Sequence, residues 1–305
     1  MNEFGIESHG VKQPKLFNSK YPIIAAPMNQ VSEITLAVAV HRAGGFPSIS
    51  GYCYDSDDEI IKVLEDFVSI TRSSNIILAV DEKSLLNEKL ISTLKKLNIS
   101  HVLRHYNENY DFTEQHRKNW RKILEVSLKK LTCQFIEMKS DFSVISDFSK
   151  IYFVKGSDGA GRPGSATTKE LFDFHKRQTP AAALVPVGGI GTSEQVKYYL
   201  DNNANAVAIG TLFAVSEESK ISKEVKNKMI SAKEKDIERL DDTLKQNALI
   251  FNRLNTNDNL NNTCSLKQGI KSAQKGHVFL SKAIDKVDSI RTVDYIIQNL
   301  VSKFE

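Results

Sequence analysis

Short apolar runs of four or five residues, rich in Ile, Val and Leu, recur along the first 215 residues and alternate with longer stretches whose apolar positions return every three or four residues. The first pattern predicts strands and the second amphipathic helices. Strands are predicted at 23–26, 46–50, 76–80, 101–105, 133–137, 151–155, 184–187 and 206–209. Helical spacing fills the gaps, at 32–42, 57–71, 84–97, 113–131, 168–177 and 192–202. Alternation of this kind implies parallel strands joined by helical crossovers. Eight repeats in about 200 residues point to an α/β fold of the (β/α)₈ TIM-barrel type rather than an open doubly wound sheet. A dinucleotide-binding fold is further weakened by the lack of GxGxxG after the first strand.

The pattern breaks after Glu218. Residues 219–250 are charged and helix-favouring, 252–264 (NRLNTNDNLNNTC) form an Asn-rich polar loop, and 271–305 return to helical spacing through Val293, Ile296, Ile297, Leu300 and Val301. The expected organisation is a barrel over residues 1–218 and a carboxy-terminal helical extension over 219–305, packing back on it and offering a surface for a homodimer.

Composition narrows the function classes. Hydrophobic residues make up 41% of the 305, enough for a substantial core. The net charge of +4 is the small excess of 41 basic over 37 acidic residues, so no nucleic-acid or membrane partner is expected. No basic start with an apolar run and no membrane-length apolar stretch occurs, and the expectation is a cytoplasmic protein. Cys53, Cys133 and Cys264 lack CxxC spacing, which argues against a disulfide framework and a zinc site, and no metal is expected. The run Asp55, Asp57, Asp58 and Glu59 is consecutive rather than convergent and reads as the start of a helix.

The glycines carry the chemistry. Gly188 and Gly189 follow the seventh strand, and Gly210 and Thr211 follow the eighth, so both sets fall on the rim where barrels of this type commonly hold phosphate. Glycine lets backbone N–H groups approach an anion, and Thr211 adds a hydroxyl. A tight strand-ending turn explains one such pair; two pairs on adjacent strands favour a phosphate site. A third cluster, VKGSDGAGRPGS at 154–165, follows the sixth strand, and its small residues would let a flat ligand lie across the rim, unless it is merely a flexible loop.

YPIIAAPMNQVSEITLAVAVHRAGGFPSIS, FVKGSDGAG, VPVGGIGTSEQV, NAVAIGTLFAVSEES and KGHVFLSKAIDKVDSIRTVDYIIQNLV occur in this order. Together they resemble the nitronate monooxygenase (2-nitropropane dioxygenase) family, which includes flavin-dependent enoyl-acyl-carrier-protein reductases. The resemblance implies an FMN-binding barrel. It would set Ala26, Pro27 and Met28 beside the flavin ring, Lys155, Gly156 and Ala160 along it, and Gly188, Gly189, Ala208, Ile209, Gly210 and Thr211 around the phosphate. Asp81, where the family usually has asparagine, would also face the cofactor. His105 matches the family's proton-abstracting base and suits removal of a proton alpha to a nitro group; a strand-capping histidine is the bland reading. Arg162 replaces a common histidine and, with Tyr52, is a candidate substrate contact.

The expected activity is oxidation of a nitronate or related small molecule with O2. The alternatives are an NAD(P)H-dependent flavin enoyl reductase and a non-catalytic phosphate- or flavin-binding barrel.

Overall fold

The computed structural model describes residues 16–104, 132–136, 151–161, 164, 166–240, 246–251, 263–274 and 276–304. Eight strands run parallel in one sheet: β1 (Ile23–Ala25), β2 (Ser48–Ser50), β3 (Ile77–Val80), β4 (His101–Arg104), β5 (Thr132–Ile136), β6 (Ile151–Lys155), β7 (Ala183–Val187) and β8 (Val207–Ile209). Their order is β1-β8-β7-β6-β5-β4-β3-β2, so successive strands are neighbours and the first lies beside the last. The two ends of this order, β1 and β2, meet at a single parallel bridge between Ile24 and Phe46. There Phe46 N–H donates to the Ile23 carbonyl at 2.7 Å and Ala25 N–H to the Phe46 carbonyl at 3.0 Å.

β1, β2, β3, β7 and β8 are buried on both faces, as are His101–Leu103 of β4 and Ile151–Val154 of β6, which is why most of these strands read as unbroken apolar runs. One face gathers Ile24, Ile77, Ala79, Leu103, Phe153, Val185 and Ala208 into one cluster. The other face packs Ile23, Tyr152, Val154, Leu184 and Val207 in one cluster and Ile49, Leu78, Val80 and Val102 in another, against helices. At the amino-terminal ends of the strands, Phe17 stacks on His101 at 4.8 Å and meets Phe46 edge-on at 5.0 Å.

The helices are α1 (Ile34–Arg42), α2 (Asp57–Thr71), α3 (Glu82–Leu85), α4 (Glu88–Lys96), α5 (Thr168–Gln178), α6 (Ser193–Asp201), α7 (Thr211–Ala214), α8 (Lys223–Ser231), α9 (Thr263–Gly269) and α10 (Val293–Val301). Their starts obey side-chain chemistry. Ser56 caps α2 by accepting Glu59 N–H, with Asp57, Asp58 and Glu59 in its first turn, so the acidic run is a helix start. Thr167 with Glu170 and Thr192 with Gln195 form reciprocal capping boxes on α5 and α6. α10 buries Val293, Ile297 and Leu300 completely and packs against α1 and α6.

The extension departs from expectation: it is not only helical. β9 (Glu238–Leu240), β10 (Gln246–Phe251) and β11 (Gly276–Phe279) form an antiparallel sheet in the order β11-β10-β9. The helical spacing read over 271–305 belongs to α10 alone. Upstream of it, β11 is held by its pairing with β10 and by α9, whose Gly269 approaches so closely that a Cβ there would sit 2.0 Å from the His277 carbonyl oxygen. His105, Arg162, the predicted helix at 113–131 and most of the Asn-rich stretch lie outside the described residues.

Candidate active site

The carboxyl ends of β1, β6, β7 and β8 surround a cavity of about 330 Å³, within the usual range of a small-molecule or cofactor site. Of the residues singled out in the sequence, Ala26, Pro27, Met28, Tyr52, Lys155, Ala160, Gly188, Gly189, Ala208, Gly210 and Thr211 line it. Asp81, Gly156 and Ile209 do not.

Each of those three has a local task. The exposed Asp81 accepts Ser84 N–H at 2.8 Å, a turn-capping contact. Gly156 lies against the start of α5, where a Cβ would fall 2.0 Å from Thr168 N. Ile209 points to the helical side, and its carbonyl accepts Ala26 N–H at 2.8 Å.

The loop after β1 is rigid because Ser32 closes it. Its hydroxyl donates to the Ala26 carbonyl at 3.1 Å and accepts Met28 N–H at 2.8 Å, while Ser32 N–H donates to the Met28 carbonyl at 2.9 Å. Gln30, buried and left-handed at φ 61°, donates its amide to the Tyr52 carbonyl and so ties this loop to the one after β2. Burial, with the Asp81 charge adding to it, pushes the Tyr52 phenol up to about 12. The neighbouring Cys53 thiol is likewise pushed up to about 12, chiefly by burial, and is no thiolate at neutral pH.

Two kinds of glycine stand on the rim. Gly188 and Gly189 have φ of 109° and 72°, and Cβ atoms on them would lie 2.7 Å from Gly159 Cα and 2.6 Å from Asp158 Cβ. Backbone shape and packing require both. Gln195 fixes this turn by donating to the Gly189 carbonyl at 3.3 Å and accepting Gly191 N–H at 2.9 Å. Gly210 is different. Its φ of −111° suits any residue, and a Cβ on it would meet nothing closer than the Met28 sulfur at 3.6 Å. Among the described residues nothing forbids a side chain there; a ligand against the backbone at the start of α7 would. The first N–H groups of a helix have no carbonyl a turn earlier, so they suit an anion. The rim therefore fits a phosphate-bearing cofactor.

The opposite wall was not foreseen. Ile221, Leu266 and Ile270 reach the cavity from the extension, and Val278, Phe279 and Ser281 from β11 and the residues after it. A Cβ on Gly161 would lie 3.8 Å from the Phe279 ring and 3.9 Å from Lys155 Nζ, so the ring and the ammonium flank the same glycine. The signal was the short apolar VFL between Gly276 and Ser281, absorbed into a longer helical reading.

Eight parallel strands in one sheet, with a glycine-edged cavity at the carboxyl ends of β1, β6, β7 and β8, define an α/β protein with a site of small-molecule size. The sequence matches the nitronate monooxygenase family over residues 12–303, and the chain belongs to that family. It is thereby an oxidoreductase of a flavin-using family. No curated protein sequence matches the chain.

Among solved structures, a point mutant of FabK from Thermotoga maritima is similar at a TM-score of 0.78 and 19% identity, over 95% of this chain and 94% of that one. FabK itself gives 0.75 and 18% over the same shares. A nitroalkane oxidase from Streptomyces ansochromogenes gives 0.67 and 14%, over 93% of this chain and 96% of that one. At such identities the likeness is one of fold. Among the described residues no helix is long and apolar enough to cross a membrane.

Proposed function

We propose that the protein is an FMN-dependent oxidoreductase that oxidises a nitronate or a related small molecule with dioxygen, and that β1 and β2 close its strands into a (β/α)₈ barrel. The observation that carries this reading is Gly210, whose missing side chain neither backbone conformation nor packing explains. Bound FMN would supply the electron acceptor. The chain's own residues do the rest. Gly188, Gly189 and the turn from Ala208 to Thr211 would hold the phosphate, and the Ser32-locked backbone of Ala26, Pro27 and Met28 would give the ring a fixed floor. Lys155 would bring positive charge beside it, with Ala160 leaving room. Tyr52, protonated at neutral pH, would donate a hydrogen bond to substrate, and Arg162 would attract negative charge. His105 would take the proton alpha to the nitro group when the substrate arrives as a neutral nitroalkane.

The test begins with the absorption spectrum of the purified protein and the mass of the cofactor released by heat. FMN is expected, with anaerobic bleaching by propane-2-nitronate and none by NADPH. Bleaching by NADPH alone would transfer the protein to the enoyl-reductase reading, and a colourless protein that refuses added FMN would end both. With FMN bound, His105→Asn should slow turnover of neutral nitroalkane by about a hundredfold or more while sparing preformed nitronate. Equal rates on both substrates would remove His105 from the mechanism.

A further inference from the structure

The loop after β1 brings one polar side chain to the cavity wall. Ala26, Pro27, Met28 and Val31 line the cavity with apolar groups, and Asn29 among them carries an amide. Its neighbour orients that amide. Gln30 is 3% exposed, and its Nε2 donates to the Tyr52 carbonyl and, at 3.4 Å, to Asn29 Oδ1. An amide nitrogen carries two hydrogens, and these two acceptors take both. The Asn29 carbonyl oxygen is therefore turned towards Gln30, and Asn29 Nδ2, with two hydrogens of its own, is turned away from it. Among the described residues Nδ2 has no acceptor. Gln30 holds a left-handed φ of 61° to make its contacts, which is uncommon for a residue with a side chain. Glycine would adopt that backbone without strain. What glutamine adds there is the pair of bonds.

The rest of the cavity indicates what Nδ2 meets. Its other polar side chains among the described residues are Tyr52, Lys155, Thr211 and Ser281, and no Asp or Glu among them lines it. All five can donate a hydrogen bond and Lys155 adds positive charge, so the wall suits ligands rich in acceptors. Thr211 opens α7 after β8, bonded to Ser281 at 2.8 Å. Asn29 stands elsewhere: the Gln30 bond to the Tyr52 carbonyl holds it where the loops after β1 and β2 meet, on the side of β1 away from β8.

We propose that Asn29 is a substrate-binding residue that donates from Nδ2 to an oxygen of the nitronate, and that Gln30 is the positioning residue that orients it. This rests on the function proposed above. A nitronate spreads one negative charge over two oxygens that accept hydrogen bonds and donate none. An amide nitrogen facing them attracts, and an amide oxygen facing them repels. Gln30 decides which of the two the substrate meets.

The experiment measures KM and kcat for propane-2-nitronate with the FMN-loaded full-length protein, and titrates FMN against each variant. The variants are Asn29→Ala, Asn29→Asp, Gln30→Gly and the double variant Asn29→Ala, Gln30→Gly. Asn29→Ala should raise KM about tenfold, the scale of one hydrogen bond to a charged group, with kcat within about twofold and FMN affinity unchanged. Asn29→Asp keeps an acceptor for Gln30 and replaces the donor by a carboxylate, so its KM should rise about a hundredfold. Gln30→Gly suits the left-handed backbone but frees the Asn29 amide to turn, and should raise KM about threefold. In the double variant it should add nothing to Asn29→Ala, because the amide it acts through is gone. An unchanged KM in Asn29→Ala, or an Asn29→Asp variant that binds as well as wild type, would overturn the proposal. A fall in FMN affinity in step with the rise in KM would also overturn it, by assigning the amide to the cofactor. A Gln30→Gly effect that adds in full to Asn29→Ala would remove the positioning role. A wild type that carries FMN and leaves propane-2-nitronate unoxidised would overturn the function itself, whereas normal turnover with insensitive variants would overturn this inference alone.

Discussion

The same eight strands end in two different ways. At their amino ends large rings fill the space: Phe17, Phe46 and His101 contact one another at 4.8 to 5.0 Å and all are buried. At their carboxyl ends the chain withholds side chains, with Gly159, Gly161, Gly188, Gly189 and Gly210 around a cavity. One end is filled with rings and the other is left as a cavity. Residue type alone does not separate the roles, because the open rim itself mixes glycines that backbone shape and packing require with one, Gly210, that among the described residues neither requires.

The sharpest way to break this comparison is to add a methyl to each kind of glycine. Gly188→Ala places a Cβ 2.7 Å from Gly159 Cα at a φ of 109°, and should cost about 3 kcal/mol of stability with or without ligand. Gly210→Ala has neither problem. It should leave the melting temperature of the flavin-free protein nearly unchanged and weaken FMN by about tenfold to a hundredfold, the effect of overfilling a close contact. Denaturant melts and flavin titrations on the two variants check both. If Gly210→Ala bound FMN normally, the argument that its bareness serves a ligand would fail.

This difference marks what the sequence discloses. Strand period and glycine position are local, so the parallel strands at 151–155 and 184–187, the Gly188–Gly189 pair after β7 and the single Gly210 after β8 are all readable. The family resemblance sets Gly156 along the flavin, yet the Thr167–Thr168 backbone packs directly on it and it does not line the cavity. The resemblance likewise turns Asp81 towards the cofactor, but a short polar side chain there finds the Ser84 N–H first. The Thr211–Ser281 contact joins positions seventy residues apart. No periodicity reports such a pair. β11 was missed because four residues supply too little alternation to be told from the helix that follows.

The closed end supplies a pH test. Burial holds His101 down at about 4, against an ordinary value of 6.5. Between those values the unfolded chain binds a proton that the folded one refuses, so stability falls as pH drops from 6.5 towards 4 and this contribution is flat below. The full loss from this group is about 3 kcal/mol. His277 is also lowered to about 4 by burial and acts in the same direction. His101→Phe keeps the ring stack and His277 and should remove only the His101 share, seen as a shallower fall in melt-derived stability across that interval. Parallel curves for wild type and variant would show that His101 does not titrate within the fold.

The smallest effect is expected where the open end carries its most visible charges. Lys282 Nζ lies 2.7 Å from Glu234 and 3.7 Å from Asp158, which looks like the tie that holds the carboxy-terminal segment over the glycine loop. Its side chain is 44% exposed and that of Glu234 48%, so water and salt compete for both. The backbone contact from Lys282 N–H to the Asp158 carbonyl and the Ser281–Thr211 pair survive loss of the side chain. Lys282→Ala should therefore cost less than about 1 kcal/mol, a shift of roughly 2 °C in Tm, shrinking further at high salt, with FMN affinity unchanged. A loss of several kcal/mol, or a fall in FMN binding, would mean that exposed charge rather than buried backbone and hydroxyl contacts docks this segment, and the open end would owe its shape to the surface instead of to its interior.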